Sequence, residues 1–265
     1  MVRKQAGDQR SWERLQRQAA KQRAFHADHP DALITAPEVL AVDPPAIVMD
    51  FVRGTSLGEF LQQASVRQSS AVCTDLSAFL SGQLQCCPSG PAVEALVGKL
   101  DSLDLDHPRI RGVPGVGALA EAIRRAFRAQ PRLPVGSGHG DFSFDNILVE
   151  QHTGRIYLID FLDMPLESPV LDVARLYLDA AYPWWGSYGR TRHRLLGASR
   201  DLAHGLRTVL AAGGVTERTF RAVLALTILR ILPYTGSPIR RGVLCSALHD
   251  ITAELSTSET SCPAP

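Results

Sequence analysis

His139-Gly-Asp-Phe-Ser-Phe-Asp-Asn-Ile-Leu-Val149, followed by Tyr157-Leu-Ile-Asp-Phe161, is the stretch of this 265-residue chain that decides its fold. Residues 147–149 and 156–159 are two short apolar runs, and His152-Thr-Gly154 between them supplies turn residues. Apolar runs joined by a turn predict a β-hairpin. The sequence therefore predicts a loop that begins at His139 and leads into a short hairpin.

Three polar side chains surround the predicted hairpin. Asp141 lies in the loop, Asn146 follows five residues later, and Asp160 ends the return strand. Carboxylate and amide oxygens are the ligands that hard cations such as Mg²⁺ prefer, with water and phosphate oxygens completing the shell. Phosphoryl transfer needs charge neutralisation, alignment and one group that receives the hydroxyl proton. The alternative is an ordinary hairpin whose aspartates cap turns.

The order of these residues carries a family resemblance. The pattern is His-Gly-Asp, four variable residues, Asn and two aliphatic residues, then an aliphatic residue, Asp and an aromatic residue. This pattern resembles the aminoglycoside/choline phosphotransferase family, which are small-molecule kinases with a protein-kinase-like fold. The resemblance implies ATP and Mg²⁺ as cofactors, with Asp141 as the catalytic base and Asn146 and Asp160 as Mg²⁺ ligands. It also implies that His139 is a buried residue that shapes the loop.

The sequence of residues 46–57 predicts a strand, a turn at Gly54 and then a helix that is capped by Thr55 or Ser56. The segment resembles the family's hinge between the small and large lobes, where backbone groups hold adenine. By position, the resemblance implies that the backbone of Asp50 and Val52 makes those contacts. A buried strand that leads into a helix is the simpler interpretation of the same residues.

Lys4 is the candidate for the lysine that binds the ATP phosphates in members of this family. It precedes a helix-prone segment, residues 11–25, and the resemblance implies that it pairs with an acidic helix residue. Gln18, which is neutral, lies where the family has its glutamate, and Glu13 is the nearest carboxylate, so these two are the candidates for that partner. Only three residues precede Lys4, so the glycine-rich phosphate loop is expected to be absent and the N-terminal lobe incomplete. The alternative is that Lys4 is a solvated charge.

The remainder of the chain predicts a helical C-terminal lobe. The expected fold class is α+β and protein-kinase-like, with residues 1–54 as the partial N-terminal lobe and hinge, and residues 55–265 as the large lobe. Asp172 lies in the first turn of a predicted helix, and the resemblance implies that it supports the catalytic loop through hydrogen bonds. A favourable interaction with the helix dipole is the alternative. The predicted helices are 69–84, 92–100, 117–129, one opening at 170, 191–211, 217–232 and 240–255.

Residues 183–241 contain a candidate substrate segment and many more basic than acidic residues. Trp184 and Trp185 lie beside glycines, and such rings either stack on a substrate or pack at a helix end. Between residues 183 and 241 there are ten arginines, whereas the only acids are Asp201 and Glu217. A pocket for a polycationic aminoglycoside needs carboxylates, so this balance favours a neutral or anionic hydroxyl compound. The alternative is a genomic bias toward arginine codons, which the scarcity of lysine in the chain also indicates.

Composition excludes several other classes. A formal net charge of +1 gives no reason to expect nucleic acid as a partner. No apolar stretch reaches the roughly 18–20 residues of a membrane span, so no membrane association is expected. The five cysteines show no zinc spacing, and their odd number favours reduced thiols in the cytoplasm. The sequence does not indicate an oligomeric state.

The function that these observations favour is an ATP- and Mg²⁺-dependent kinase. Its acceptor would be the hydroxyl of a small molecule such as a sugar, an amino alcohol or an aminoglycoside-like compound. The main alternative is a catalytically impaired, kinase-like binding or regulatory protein, or a fragment of a longer kinase. A metal-dependent phosphohydrolase is disfavoured because it needs further histidine ligands, and a protein kinase because no activation segment precedes the helix at residue 170.

Overall fold

A computed structural model describes residues 1–30, 32–162, 168–183 and 192–257. The strands are β1 Val2–Gln5, β2 Ile34–Thr35, β3 Val39–Asp43, β4 Ala46–Met49, β5 Thr55–Ser56, β6 Ser89–Gly90, β7 Leu133–Pro134, β8 Ile147–Val149 and β9 Ile156–Leu158. The helices are α1 Gln9–Asp28, α2 Leu57–Gln63, α3 Val66–Cys86, α4 Ala92–Asp101, α5 Pro108–Arg111, α6 Val116–Ala129, α7 Pro169–Ala181, α8 Arg192–Ala212, α9 Glu217–Ile231 and α10 Pro238–Thr257. Short 3₁₀ turns precede β8 and follow α9.

The first 50 residues build a small antiparallel sheet with one helix against it. The strand order is β1-β4-β3, and Lys4 on β1 lies opposite Ile47 on β4. Helix α1 begins after Asp8, whose side chain accepts a hydrogen bond from Ser11 N at 2.7 Å. The helix buries its apolar face on the sheet in a small core of six residues: Trp12, Leu15, Ala19, Val39, Ile47 and Met49. Lys4 therefore lies within a hydrogen-bonded β-strand and not in an unpaired N-terminal segment.

The predicted hairpin is confirmed, and it belongs to a second sheet of order β2-β9-β8-β5. Strands β8 and β9 pair antiparallel with Ile147 opposite Leu158, and Gly154 has a positive φ of 73° in the turn that joins them. Strand β5 pairs with β8 and leads directly into α2. Of the two predicted caps, Ser56 accepts from the backbone N–H of Glu59 at 3.4 Å.

The remaining helices form the large lobe around one extensive core. Helix α7 lies at its centre, with nearly every residue from Pro169 to Ala180 buried, and it packs against α8 and α9. Ile34 and Ala36 lie N-terminal to β3 and β4 in the sequence, yet their side chains pack in this larger core. Because β2 pairs with β9, it connects the small lobe to the hairpin. In the part of the chain that the structure describes, no helix is both long and apolar enough to cross a bilayer.

Candidate active site

The first turn of α7 holds the loop that begins at His139. The buried carboxylate of Asp172 accepts a hydrogen bond from His139 N at 2.5 Å through Oδ2 and from Gly140 N at 2.8 Å through Oδ1. Gly140 has a φ of 92°, a conformation that favours glycine because it has no Cβ. Two backbone N–H groups thus fix the curvature of the loop just before Asp141.

His139 connects the loop to the end of β9. Its Nε2–H donates to Ile159 O at 2.8 Å, and its Nδ1 accepts from Asp141 N at 3.3 Å, so these partners assign a neutral ring. The rings of Phe142 and Phe161 lie 5.7 and 4.4 Å away, centroid to centroid. Burial lowers the pKa of His139 to about 4. The structure therefore buries His139 and makes it a packing residue of the loop.

Asp141 and Asn146 are in direct contact. Asn146 Nδ2 donates to the backbone O and to Oδ2 of Asp141, both at 3.0 Å. Arg175 Nε donates to the other carboxylate oxygen, Oδ1, at 2.8 Å. The Asp141 side chain remains 36% exposed. The carboxylate is thus held from two sides and still open to a cleft.

Arg175 and Asp179 of α7 are functional candidates that our sequence reasoning missed. Arg175 Nη1 lies 2.8 Å from Asp179 Oδ1, and Asp179 Oδ2 accepts from Phe144 N at 3.0 Å. Both side chains are buried. The sequence contained an indication of their role. Arg175 and Asp179 are three and seven residues after Asp172, which places all three charged side chains on one face of an otherwise apolar helix.

Asp160 receives the ammonium group of Lys4. Lys4 Nζ and Asp160 Oδ1 form an ion pair that joins β1 to the end of β9, and burial lowers the pKa of Lys4. The two candidate helix partners are therefore wrong: Lys4 pairs with neither Glu13 nor Gln18, and Glu13 accepts instead from Gln9 Nε2 at 3.0 Å. The reason is that Glu13 is exposed and bonded within its own helix, whereas Lys4 reaches across to the residue after β9. A solvated Lys4 is also excluded.

The backbone of Asp160 is itself unusual. Its φ is 60°, and it is the only residue other than glycine with a positive φ in the described parts of the chain. Such a conformation is uncommon for residues with a Cβ and concentrates at functional sites. Ile159 N donates to Asn146 O at 3.0 Å, so the residue before Asp160 is bonded to Asn146. The chain thus brings the carboxylate of Asp160 to the same end of the hairpin as Asn146.

One carboxylate and one amide oxygen fit a hard divalent cation. Mg²⁺ is commonly bound through one or two protein carboxylates together with phosphate oxygens, rather than by a complete protein cage. No group of three or more His, Cys, Asp or Glu side chains with metal-binding geometry occurs in the described residues. The Lys4 ammonium on Asp160 shows that this carboxylate already accepts a cation. The donor set is therefore suitable for Mg²⁺ held jointly with a nucleotide.

Asp50 and Val52, the two residues of the predicted hinge, follow the end of β4. Asp50 N donates to Glu38 O at 2.9 Å, which fixes the end of β4. Within the described residues, the Asp50 carbonyl and the Val52 N–H have no hydrogen-bond partner. Asp50 and Val52 line a cleft of about 450 Å³ together with Tyr157 of the β8–β9 hairpin.

A second cleft, of about 730 Å³, opens beside the loop, and we call it the acceptor cleft. Gly140, Asp141 and Arg175 line one side, and Arg230, Tyr234 and Arg240 line the other. The cleft lies between the loop that begins at His139 and helices α9 and α10. The two candidate substrate residues, Trp184 and Trp185, lie outside the described residues.

Comparison with known proteins identifies the family. The sequence profile described as "Phosphotransferase enzyme family" matches residues 1–207. The chain belongs to the phosphotransferase enzyme family. A search of curated protein sequences gave no match. Family membership confirms the resemblance seen in the loop and hairpin motif.

Solved structures confirm the fold of this phosphotransferase. It superposes on a glucosamine kinase in complex with glucosamine, ADP and inorganic phosphate with a TM-score of 0.62 and 18% identity, covering 92% of this chain and 74% of that one. A second crystal form of glucosamine kinase gives 0.59 and 18%, with 88% and 69% covered. LicA in complex with AMP gives 0.50 and 14%, with 91% and 79% covered. At these identities the likeness establishes the fold, an α+β kinase-like architecture as predicted.

Proposed function

We propose that this phosphotransferase transfers the γ-phosphoryl group of ATP, in the presence of Mg²⁺, to the hydroxyl of a small molecule. Sugars, amino alcohols and aminoglycoside-like compounds are the acceptor classes from which we start. The observation that carries the proposal is the continuous set of contacts at the loop and hairpin. Lys4 pairs with Asp160, Asn146 bonds Asp141, and Asp141 faces the acceptor cleft.

Asp141 would act as the general base. The acceptor oxygen attacks the γ-phosphorus, the bond between that phosphorus and the β–γ bridging oxygen breaks, and ADP leaves with the electron pair. Asp141 receives the hydroxyl proton as the new bond forms. Each carboxylate oxygen has two lone pairs, so the bonds from Arg175 and Asn146 orient the group and leave room for the hydroxyl.

Other residues would bind and align the nucleotide. Lys4 would move from Asp160 to the phosphates, and the Asp50 carbonyl and Val52 N–H would meet the adenine edge. Asp160 and Asn146 Oδ1 would hold Mg²⁺, which when bound supplies positive charge to the phosphate oxygens. Asp172 and His139 would keep the loop in position through their bonds to Gly140 and Ile159. In this arrangement protein groups mainly position reactants, which is what phosphoryl transfer requires.

The test is release of ADP from ATP with a panel of hydroxyl compounds, measured for the wild type and for Asp141→Asn. The substitution keeps the size of the side chain, so Arg175 and the loop should stay folded, while the general base is lost. We expect kcat/KM to fall by about 10²- to 10⁴-fold. The circular dichroism spectrum should not change. Equal turnover by both proteins would reject Asp141 as the base.

A catalytically impaired, kinase-like binding protein is the second candidate, and one observation favours it. Among the described residues, Lys4 pairs with Asp160 and not with the helix carboxylate that the family resemblance implied. The same experiment separates the two functions. Binding of Mg²⁺–ATP without turnover of any acceptor would support the binding protein, whereas turnover that depends on Asp141 would support the kinase.

A further inference from the structure

Arg175 uses two of the three nitrogens of its guanidinium group inside the protein. Nε donates to Asp141 Oδ1 at 2.8 Å, and Nη1 lies 2.8 Å from Asp179 Oδ1. Within the described residues the third nitrogen, Nη2, has no hydrogen-bond partner, and unlike Nη1 it is not fully buried. Because Arg175 lines the acceptor cleft, Nη2 is the nitrogen that remains for a ligand there.

The planar guanidinium group fixes the direction in which Nη2 donates. Nε and Nη2 form one edge of the group, and one N–H of each points the same way. Since the Nε–H of Arg175 points at Asp141 Oδ1, the parallel Nη2–H points to the space beside that oxygen. A bidentate carboxylate would fill both positions, but Oδ2 of Asp141 accepts from Asn146 Nδ2 instead. One donor is therefore left beside the proposed base.

The surroundings of Arg175 hold this donor in place. Asp179 is 2% exposed and its Oδ2 accepts from Phe144 N at 3.0 Å, so its carboxylate is fixed against Arg175. The side chain of Arg175 is 8% exposed, whereas that of Asp141 is 36% exposed. A side chain that is already ordered loses little conformational entropy when it binds a ligand. Arg175 therefore has the properties of a preorganised binding group.

We propose that Arg175 binds the acceptor directly, through a hydrogen bond from Nη2 to an oxygen on the carbon next to the reacting hydroxyl. The acceptor is then a sugar or another polyol with two adjacent oxygens. The reacting hydroxyl donates to Asp141, and the neighbouring oxygen accepts from Arg175. The inference rests on the proposed kinase function and specifies its substrate class.

Two other types of acceptor match this pair of residues less well. A 2-amino alcohol would place an ammonium group at Arg175, and an ammonium group has no lone pair with which to accept a hydrogen bond. Its charge would also repel the guanidinium group. A monohydric alcohol would leave the Nη2–H without a partner, which costs binding free energy. The pair of Asp141 and Arg175 therefore favours an uncharged diol.

The experiment first identifies the phosphorylated hydroxyl and then removes the oxygen beside it. ADP release is measured with Mg²⁺–ATP and either glycerol or D-glucose, and phosphorus NMR of the product identifies the position. The matched compounds are 1,3-propanediol and 2-amino-1,3-propanediol for glycerol, and the deoxy and amino-deoxy derivatives at carbons 2, 3 and 4 for D-glucose; carba-D-glucose replaces the ring oxygen. We expect loss of the adjacent oxygen, or its replacement by an amine, to lower kcat/KM by about 10- to 100-fold. Removal of a more distant oxygen should have a smaller effect.

Arg175→Lys tests whether Arg175 recognises this oxygen. Lysine keeps a positive charge beside Asp141 but lacks the fixed pair of parallel donors. The ratio of kcat/KM between the diol and its deoxy analogue should therefore approach unity, a change that a purely structural role would not produce. Arg221→Lys is the matched control, because Arg221 also pairs with two carboxylates, those of Glu217 and Glu254, but does not line the acceptor cleft.

Three results would overturn the inference and leave the kinase assignment intact. These are equal turnover of the diol and its deoxy analogue, preference for the amino alcohol, and a diol preference that Arg175→Lys leaves unchanged. If circular dichroism shows that Arg175→Lys does not fold, the comparison of matched compounds with the wild type decides alone.

Binding separates the two proposals if neither polyol is phosphorylated. Titration calorimetry then measures glycerol and D-glucose with Mg²⁺ and a non-hydrolysable ATP analogue present. Polyol binding that depends on Arg175 would retain the acceptor site and reject the kinase. Binding of the nucleotide analogue without binding of either polyol would overturn the inference.

Discussion

At the scale of single residues, Lys4 is the most informative side chain because it pairs with Asp160, the carboxylate that we propose as a Mg²⁺ ligand. Lys4→Met should weaken Mg²⁺–ATP by about 10- to 100-fold, since a charge-assisted phosphate contact is lost. The same change should strengthen binding of Mn²⁺ without nucleotide, because Asp160 no longer has a competing ammonium. Calorimetry with Mg²⁺–ATP and paramagnetic titration with Mn²⁺ measure the two effects.

Arg3→Met is the control for Lys4, because Arg3 is the neighbouring residue of β1 and is exposed on the other face of the strand. It should leave both affinities within about twofold of the wild type. If Lys4→Met lowers both affinities, or changes neither, the competition between lysine and metal at Asp160 is wrong.

His139 should give the protein a pH-dependent stability. Its pKa is lowered to about 4 in the folded chain, from 6.5 for an unperturbed histidine, because burial disfavours the charged ring. The unfolded state therefore binds the extra proton first as pH falls. The stabilising contribution is fully present above about pH 6.5 and is lost between there and about pH 4, on the order of 3 kcal/mol.

Urea unfolding across this pH interval measures the effect of His139. His139→Phe keeps an aromatic ring beside Phe161 and should flatten the dependence in that interval, although it removes the bond to Ile159 O. The control is His152→Gln, which replaces an exposed histidine in the turn of the same hairpin. A pH dependence that persists unchanged in His139→Phe would assign it to other groups.

The residues of the site differ in how far the sequence alone could reveal them. Asp141, Asn146 and Asp160 lie within one local motif, so loop, turn and strand signals placed them around one hairpin. The partner of Lys4 lies 156 residues away, whereas the family resemblance suggested Glu13 or Gln18. Local patterns carry no information on such a contact, because it depends on how β1 is oriented against the hairpin.

At the scale of the element, α7 organises the loop through charged residues on one face. Asp172→Ala would leave the N–H groups of His139 and Gly140 without an acceptor in a buried place. We expect the free energy of unfolding to fall by about 2–5 kcal/mol, since each unsatisfied buried group costs about 1–3 kcal/mol. Urea titration followed by circular dichroism measures this change.

Asp172→Asn is the comparison for that substitution, because its amide oxygen can still accept one of the two bonds. It should therefore cost clearly less than Asp172→Ala. Equal losses from both variants would indicate that the charge of Asp172, through the helix dipole, matters more than its hydrogen bonds to the loop.

The longer elements were predictable, and the shortest ones were not. The helix predicted at residues 69–84 runs from Val66 to Cys86, and the helix predicted at 240–255 runs from Pro238 to Thr257. Apolar periodicity defined the centre of the first of these helices, and the side chain of Ser65 caps its N-terminal end. Strands β2 and β5 have only two residues each, too few for any periodic signal. Their pairing with β9 and β8 arises from the tertiary fold.

At the scale of the whole molecule, the two lobes have cores of very different size. The small lobe relies on six buried residues, among which Trp12 is the largest side chain. Trp12→Ala should cost about 3–5 kcal/mol, which is a large share of what so small a core can supply. Amide exchange in β1 and β4 should therefore rise strongly while α7 and α9 remain protected, as hydrogen exchange with mass spectrometry can show.

Leu206→Ala is the control for Trp12, because Leu206 is fully buried in the larger core. It should raise exchange in the large lobe as well. If Trp12→Ala raises exchange equally in both lobes, the lobes unfold as one unit and the small core has no independent stability.

The left-handed backbone of Asp160 narrows the substitutions that this position can accept. Valine, isoleucine and threonine are excluded by their branched Cβ, and glycine fits the backbone but has no oxygen to offer. Asparagine tolerates the conformation yet carries no charge to attract either Lys4 or a metal ion. Both the backbone conformation and the negative charge therefore limit which residues can replace Asp160. A homologue with a different residue at this position should have lost activity before it lost its fold.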